Sequence, residues 1–162
     1  MRVGIGYDVH PLRAGRDLIL GGVRIDHPTG LDGHSDADVL THAVIDAVIG
    51  AAGLGDIGTL FPATDPLFKD ASSLDMLSSA MEAVRGAGYR VVNVDCTLIA
   101  QEPKISPYLK EMKINIGTAL GLNPARVGIK ATTNEHLGFI GREEGIAAMA
   151  VASVEIPAGN GS

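Results

Sequence analysis

The sequence predicts an α+β fold: a single domain built on a mixed β-sheet, with helices packed mainly on one face. Three observations carry this expectation. At 162 residues the chain has the length of one domain. With 46% hydrophobic and 20% charged residues it can bury a real core and is not intrinsically disordered. Its elements run strands, helix, helix, strand, helix, strand, strand, and the absence of a predicted helix between the last two strands argues against a parallel doubly wound sheet.

Met1–Tyr7 (MRVGIGY) is a short apolar strand that ends in polar Asp8-Val9-His10-Pro11, as a strand entering a loop would. Asp17–Asp26 is two apolar runs about Gly21-Gly22, a hairpin or a glycine bulge. A helix then runs over Ala37–Ala52, with Ser35 or Asp36 as its N-cap and Gly53 as its stop. Ser72 caps a second helix, whose apolar face is Leu74, Leu77, Met81 and Val84 and which ends at Gly86 and Gly88. Tyr89–Ala100 is a long strand in which Val92, Val94, Cys96 and Leu98 alternate with Val91, Asn93, Asp95 and Thr97. Ser106 caps a third helix and Pro107 takes its first position, where a missing N–H costs nothing. Leu109, Met112, Ile116 and Leu120 form its face, and Gly121 follows. Arg126–Thr133 and Gly145–Ile156 are the last strands. The domain therefore covers residues 1–156, and the small polar tail 157–162 is expected to be disordered.

Thirteen Lys and Arg against nineteen Asp and Glu give a net charge of −6, and there is no Trp. No basic stripe or aromatic stacking platform for nucleic acid can be built from this. The longest apolar runs fall short of a membrane span, and residues 1–7 read as a strand rather than a signal peptide. A lone cysteine, Cys96, permits no intrachain disulfide and no cysteine zinc site. The cytoplasm is the expected location.

Four of the five histidines (His10, His27, His34, His42) and eight of the twelve aspartates lie in the first 56 residues, so the ligands of any metal site should begin there. Asp8 and His10, two apart on extended chain, point to the same side. His42 lies on the first helix, with Asp38 and Asp46 a turn to either side. One carboxylate and two imidazoles suit a zinc ion with an open fourth position, and Asp38 or Asp46 could orient the His42 ring. A simple turn at Asp8-Val9-His10, with Asp38 favoured by the helix dipole, accounts for the same residues without a metal. Gly53-Leu54-Gly55-Asp56-Ile57-Gly58 matches G-x-G-x-x-G but follows a helix instead of a strand, so it is not a dinucleotide fingerprint. A helix stop and turn, or a loop that lets a ligand approach the backbone, both remain open. Lys130-Ala131-Thr132-Thr133-Asn134-Glu135 sets hydroxyls, an amide and a carboxylate at a strand end, where they suit phosphate oxygens and a hard cation or serve only as polar caps. His27 and His136 have no spaced partners and are assigned to the surface.

Taken together, several segments resemble the 2-C-methyl-D-erythritol 2,4-cyclodiphosphate synthase family. They are Asp8-Val9-His10, the run from His34-Ser35-Asp36-Ala37-Asp38 through His42 to Asp46-Ala47, Gly55-Asp56-Ile57-Gly58, Phe61-Pro62 and Thr64-Asp65-Pro66. Gln101-x-Pro103-Lys104, Lys130-Ala131-Thr132-Thr133, Gly138-Phe139 and Gly141-Arg142 continue the match in order. It covers residues 2 to 156, and the S-D-x-D-x-x-x-H-x-x-x-D segment is its most specific part.

The resemblance implies cyclisation of 4-diphosphocytidyl-2-C-methyl-D-erythritol 2-phosphate with release of CMP, in the non-mevalonate isoprenoid pathway. It implies zinc on Asp8, His10 and His42, and a second divalent ion, magnesium or manganese, near Glu135. By the same resemblance His34 and Thr133 stabilise the transition state, and Asp8, His10, His34 and Ser35 lie against substrate phosphates. Asp56 and Gly58 match the ribose or erythritol end, and Phe61, Pro62, Ala63, Thr64 and Asp65 match the loop over the erythritol. Ala100, Gln101, Pro103, Lys104, Ile105 and Ser106, with Ala131, Thr132, Thr133, Asn134 and Glu135, match the cytosine and phosphate side. Family sites form between subunits of a homotrimer, and Phe139 and Arg142 match its central channel, which in some members holds an isoprenoid diphosphate. Three departures stand out: Ala63 where Asp is usual, Tyr7 for the commoner Phe, and Glu143-Glu144 next to Arg142. A zinc phosphodiesterase using water, and a non-catalytic nucleotide- or isoprenoid-binding trimer, are the rival readings.

Overall fold

In a computed structural model that describes residues 1–157, the first strand is longer than its composition suggests. β1 (Arg2–Ala14) runs straight through Asp8 and His10 instead of ending at Tyr7. It pairs antiparallel with β7 (Gly145–Glu155) from Arg2 to Pro11, then with β4 (Thr29–Leu31) from Leu12 to Ala14. Pro11, which has no N–H to give a ladder, sits where the strand changes partner. Of the two alternatives at Gly21-Gly22, a hairpin or a bulge, the structure has the hairpin: both glycines are at positive φ and join β2 (Leu18–Leu20) to β3 (Val23–Ile25).

The main sheet has the order β4-β1-β7-β5-β6, with β5 (Arg90–Ile99) and β6 (Val127–Thr132) its parallel pair. The sheet is therefore mixed, as expected, and its major helices lie on one face. α1 (Val39–Ala52) packs on β1, β7 and β5, α3 (Ser73–Gly86) packs on α1, and α4 (Leu109–Leu120) on α3 and β6. α1 is buried everywhere except Asp46 and Gly50, which fits a helix that is apolar nearly all round. The opposite face is uncovered and carries exposed Val3, Ile5, Tyr7, Val9, Met149 and Val151.

Several boundaries differ from expectation for local reasons. α1 begins two residues late because Ala37 adopts positive φ (56°), and Asp38 is the N-cap in place of Ser35 or Asp36. In β5 a bulge between Val91 and Asn93 turns Val91 inward in place of Val92. Ser106 does not cap α4: Ser106–Tyr108 is a 3-10 turn entered from Ile105, with no side-chain cap. A one-turn helix, α5 (Gly138–Gly141), does separate the last two strands, and another, α2 (Ile57–Leu60), follows α1. Ser72 caps α3 as expected. The expected disordered tail lies, from residue 158 on, outside the described residues.

Candidate active site

The site begins with two glycines. Gly4 and Gly6 face α1, and a Cβ on Gly6 would stand 1.9 Å from the Ala43 carbonyl oxygen, one on Gly4 2.1 Å from that of Ala47. With hydrogen in place of methyl, the helix backbone lies directly on the strand, and His42 comes down beside Asp8 and His10. Asp8 Oδ2 is 2.9 Å from His10 Nε2 and 3.0 Å from His42 Nδ1, and the two ring nitrogens are 3.2 Å apart. This triangle fits a metal ion. Zinc bonds of 2.0–2.1 Å set tetrahedral ligand atoms about 3.3 Å apart, close to the edges of this triangle. Among the described residues this is the cluster of three such side chains that could hold a metal.

Burial works against ionisation of Asp8, but hydrogen bonds and charge from His10 and His42 outweigh it and hold the metal-free carboxyl at about 2. Burial likewise opposes the His10 imidazolium, and Asp8, with the Asp32 carbonyl and carboxylate, raises its pKa above the usual histidine value. The pocket is thus built to keep an anionic oxygen between two imidazoles.

Neither aspartate expected to orient His42 does so. Asp38, fully buried, accepts from the backbone N–H of Gly21 (2.9 Å), Gly22 (2.8 Å) and Thr41 (3.1 Å) and from the Thr41 hydroxyl (2.7 Å). It ties the hairpin turn to the start of α1, and burial raises its pKa. Asp46 accepts from the Ile57 N–H at 2.7 Å. The His42 Nε2 faces two hydroxyls instead, Ser35 Oγ at 3.0 Å and Ser73 Oγ at 2.8 Å. Ser73 was invisible in the sequence as a site residue because it lies 31 positions away, on another helix. The alternation Gly4-Ile5-Gly6 inside a strand was the available sign of close backbone approach.

A cleft of about 300 Å³ opens over the triad, lined by His34, Ser35, Ile57, Gly58, Phe61, Ala63, Phe68 and Met76. His34 Nε2 lies 3.2 Å from the Asp65 carbonyl, which links it to the 61–65 loop. The Asp65 carboxylate accepts from the Leu67 N–H and Asp56 from the N–H and hydroxyl of Thr59, so both cap short helical turns. Pro62 and Thr64 are exposed on that loop. Gly53, at φ 76°, closes α1, so the glycine run is a helix stop and turn, and part of it, Gly58, lines the cleft.

The other expected site residues gather where β5 and β6 end side by side. Ala100 N–H donates to the Thr132 carbonyl (3.0 Å), and Gln101 Oε1 accepts from the His136 N–H (3.0 Å). The segment 100–106, containing Pro103, Lys104, Ile105 and Ser106, therefore flanks Ala131, Thr132, Thr133 and Asn134. Glu135, exposed and at positive φ, donates its N–H to Thr133 Oγ1 at 3.2 Å. Register joins Val9, Ala147, Ile99 and Thr132 across the sheet. Triad and hydroxyl cluster thus share one end of the sheet, three strand spacings or about 14 Å apart. Glu135 is not brought to the triad. Phe139 lies on a separate cleft of about 420 Å³ with Val9, His10, Arg13 and Glu144. Arg142, which adjoins it, pairs with Glu144 at 2.8 Å. Tyr7 sits on the uncovered sheet face; His136 is exposed, as expected, with its N–H on Gln101, whereas His27 is half-buried, its ring nitrogen on the Thr29 carbonyl.

A model of the YgbB family matches residues 1–155. The chain is 58% identical over 154 residues to a 2-C-methyl-D-erythritol 2,4-cyclodiphosphate synthase of Symbiobacterium thermophilum, covering 95% of this chain and 98% of that one. Its fold superimposes on the bifunctional IspDF of Campylobacter jejuni with a TM-score of 0.92 at 45% identity, covering 96% of this chain and 42% of that longer protein. It is also similar to IspF of Plasmodium falciparum in complex with CDP, with a TM-score of 0.83, 36% identity and 96% of each chain covered. Among the described residues no helix is long and apolar enough to cross a membrane.

Proposed function

The chain belongs to the YgbB family, and from that membership and the geometry of its site we propose that it catalyses the reaction for which its relatives are named. Its substrate is 4-diphosphocytidyl-2-C-methyl-D-erythritol 2-phosphate. An oxygen of the 2-phosphate attacks the β-phosphorus, the bond from that phosphorus to the oxygen bridging the α-phosphate breaks, and CMP leaves with that oxygen. The reaction is a phosphorus–oxygen lyase step in the non-mevalonate route to isoprenoids, carried out in the cytoplasm. The observation that carries the reading is the Asp8–His10–His42 triangle beneath a cleft that opens to phosphate-sized ligands.

Phosphoryl transfer asks a protein mainly for positioning and charge neutralisation. Asp8, His10 and His42 would hold zinc, which when bound supplies an open position that polarises a β-phosphate oxygen. His34 and Ser35 lie against the reacting phosphates from one side of the cleft, and Thr133 meets them from the hydroxyl cluster. Glu135 supplies a carboxylate for a second divalent cation, magnesium or manganese. The 100–106 segment with 131–134 receives the cytidine and its phosphates, a reading supported by the CDP complex of the Plasmodium relative. Gly58, Asp56 and the 61–65 loop hold the erythritol, where Ala63 offers no carboxylate.

The two halves lie about 14 Å apart within one chain, which supports a site shared between neighbouring subunits. The uncovered apolar sheet face (Val3, Ile5, Tyr7, Met149, Val151) supports a homotrimer built on it. Phe139 and Arg142 then line a central channel able to take an isoprenoid diphosphate, with Glu144 competing for the arginine.

Phosphorus NMR of the protein with substrate, zinc and magnesium tests this. CMP together with two coupled cyclic-diphosphate resonances is the expected result. CMP with a linear methylerythritol bisphosphate, or bound but unchanged substrate, would overturn it in favour of a hydrolase or a binding protein.

A further inference from the structure

We propose that Asp36 and Ser73 form a relay that selects which nitrogen of His42 faces the metal, making both positioning residues for the ion. The inference rests on the reading of Asp8, His10 and His42 as ligands and concerns residues behind them. Ser73, fully buried, is the first residue of α3. Its hydroxyl donates to Asp36 Oδ1, and its backbone N–H donates to Asp36 Oδ2 at 3.0 Å. The same oxygen of Ser73 lies 2.8 Å from His42 Nε2.

A serine hydroxyl has one proton, and an ionised carboxylate can only accept. The Ser73 proton is therefore committed to Asp36, which leaves Ser73 Oγ able only to accept from His42. His42 Nε2 must then carry hydrogen. With Nε2 holding its hydrogen toward Ser73, the nitrogen left to offer a lone pair to the ion is Nδ1, which faces Asp8 Oδ2 and His10 Nε2. Ser35 Oγ, at 3.0 Å, can share the same N–H, since it has a second lone pair beside the one that accepts from the Ala37 N–H at 3.2 Å. Asp36 reaches the site from the turn before α1 and Ser73 from the start of α3, so the ring is held by two elements besides its own helix. Neither Asp36 nor Ser73 lines the cleft over the triad, so the effect of these two residues on any reaction must pass through His42.

Zinc affinity of the full-length chain, read by competition with a chromophoric chelator, tests the relay without reference to turnover. Wild type, Ser73→Ala, Asp36→Asn, the double variant and His42→Ala are compared, each with its metal-free circular dichroism. Outer-shell partners of ligand histidines are typically worth 10–100-fold in affinity. Ser73→Ala is expected to weaken zinc by that range with the helical signal intact. Asp36→Asn keeps the side-chain volume but lets its amide donate to Ser73, freeing the hydroxyl to turn toward His42, so it is expected to weaken zinc as well. The double variant is expected to lose no more than Ser73→Ala, since Asp36 acts through the serine. In the cobalt-loaded variants the visible bands, which report ligand geometry, are expected to shift. Wild-type affinity and cobalt spectrum in Ser73→Ala would overturn the relay, and so would additive losses in the double variant. A wild-type chain that takes up no zinc, or a His42→Ala variant that binds as well as wild type, would instead overturn the metal assignment itself and the relay with it.

Discussion

Replacing Gly6 by alanine puts the closeness of β1 and α1 to the test. The new Cβ would sit 1.9 Å from the Ala43 carbonyl oxygen, 2.8 Å from its carbonyl carbon and 2.9 Å from the Ala47 nitrogen, where real Cβ atoms keep at least 3.0 Å. All three neighbours are backbone of a helix buried on every side but two positions, so no side chain can swing aside. Strand and helix must separate by about an ångström, and overpacking of this kind costs about 1–3 kcal/mol or more. The shift falls on the ligands, because Asp8 is two residues from Gly6 and His42 adjoins Ala43. A triangle with edges of 2.9–3.2 Å would open on the His42 side, and an ångström of misplacement is enough to cost roughly 100-fold in rate. Urea unfolding of the metal-free chain and zinc competition are the assays, and both midpoint and affinity are expected to fall. Gly50→Ala is the control, since a Cβ there meets nothing within 4 Å, and an exposed helical Gly→Ala change should stabilise by about 0.4–1 kcal/mol. Wild-type stability and zinc affinity in Gly6→Ala would refute the claim that strand–helix contact sets the ligand spacing.

Asp38→Ala removes the α1 cap and leaves the buried Gly21 N–H and Thr41 hydroxyl without their acceptor, so urea unfolding should show a loss of about 3–5 kcal/mol. In the metal-free chain the Asp8 carboxyl is held at about 2 against 3.8 for the ordinary group. Its stabilisation is therefore complete above 3.8 and lost as pH falls toward 2. The gap in urea midpoint between wild type and Asp8→Asn should close over that window. His10, whose pKa is raised above 6.5, works in the opposite sense: its contribution is full below 6.5 and fades as pH rises through the raised value, so His10→Asn should lose its destabilising effect in mildly alkaline buffer. Cys96 is buried, and burial, with the charge of Asp95, pushes its thiol up to about 12 against a smaller opposing effect of Lys130. A thiol-specific chromogenic reagent should leave the native protein unmodified and titrate one thiol in urea.

Local signals were sufficient for much of this molecule. Spacing on extended chain set Asp8 and His10 on one side, the glycine pair at 21 and 22 marked a hairpin or a bulge, and Ser72 marked the start of α3, because each depends on neighbours within a few residues. The mixed sheet with its helices on one face was legible from the order of elements. What the chain alone could not settle were matters of contact between distant segments. β1 extends to Ala14 because β7, at the far end of the chain, and then β4 offer it partners. Asp38 looks like a ligand's helper on a helical wheel, but it caps the helix and binds the Gly21-Gly22 turn, while the partners of His42 come from Ser35 and from Ser73 on another helix. Residue types and their short-range spacing decided which donors exist. Only the packing of α1 onto two glycines of β1 decided that three of them meet within 3.2 Å, because a hydrogen-bonded sheet and a buried helix fix separations that sequence distance does not encode.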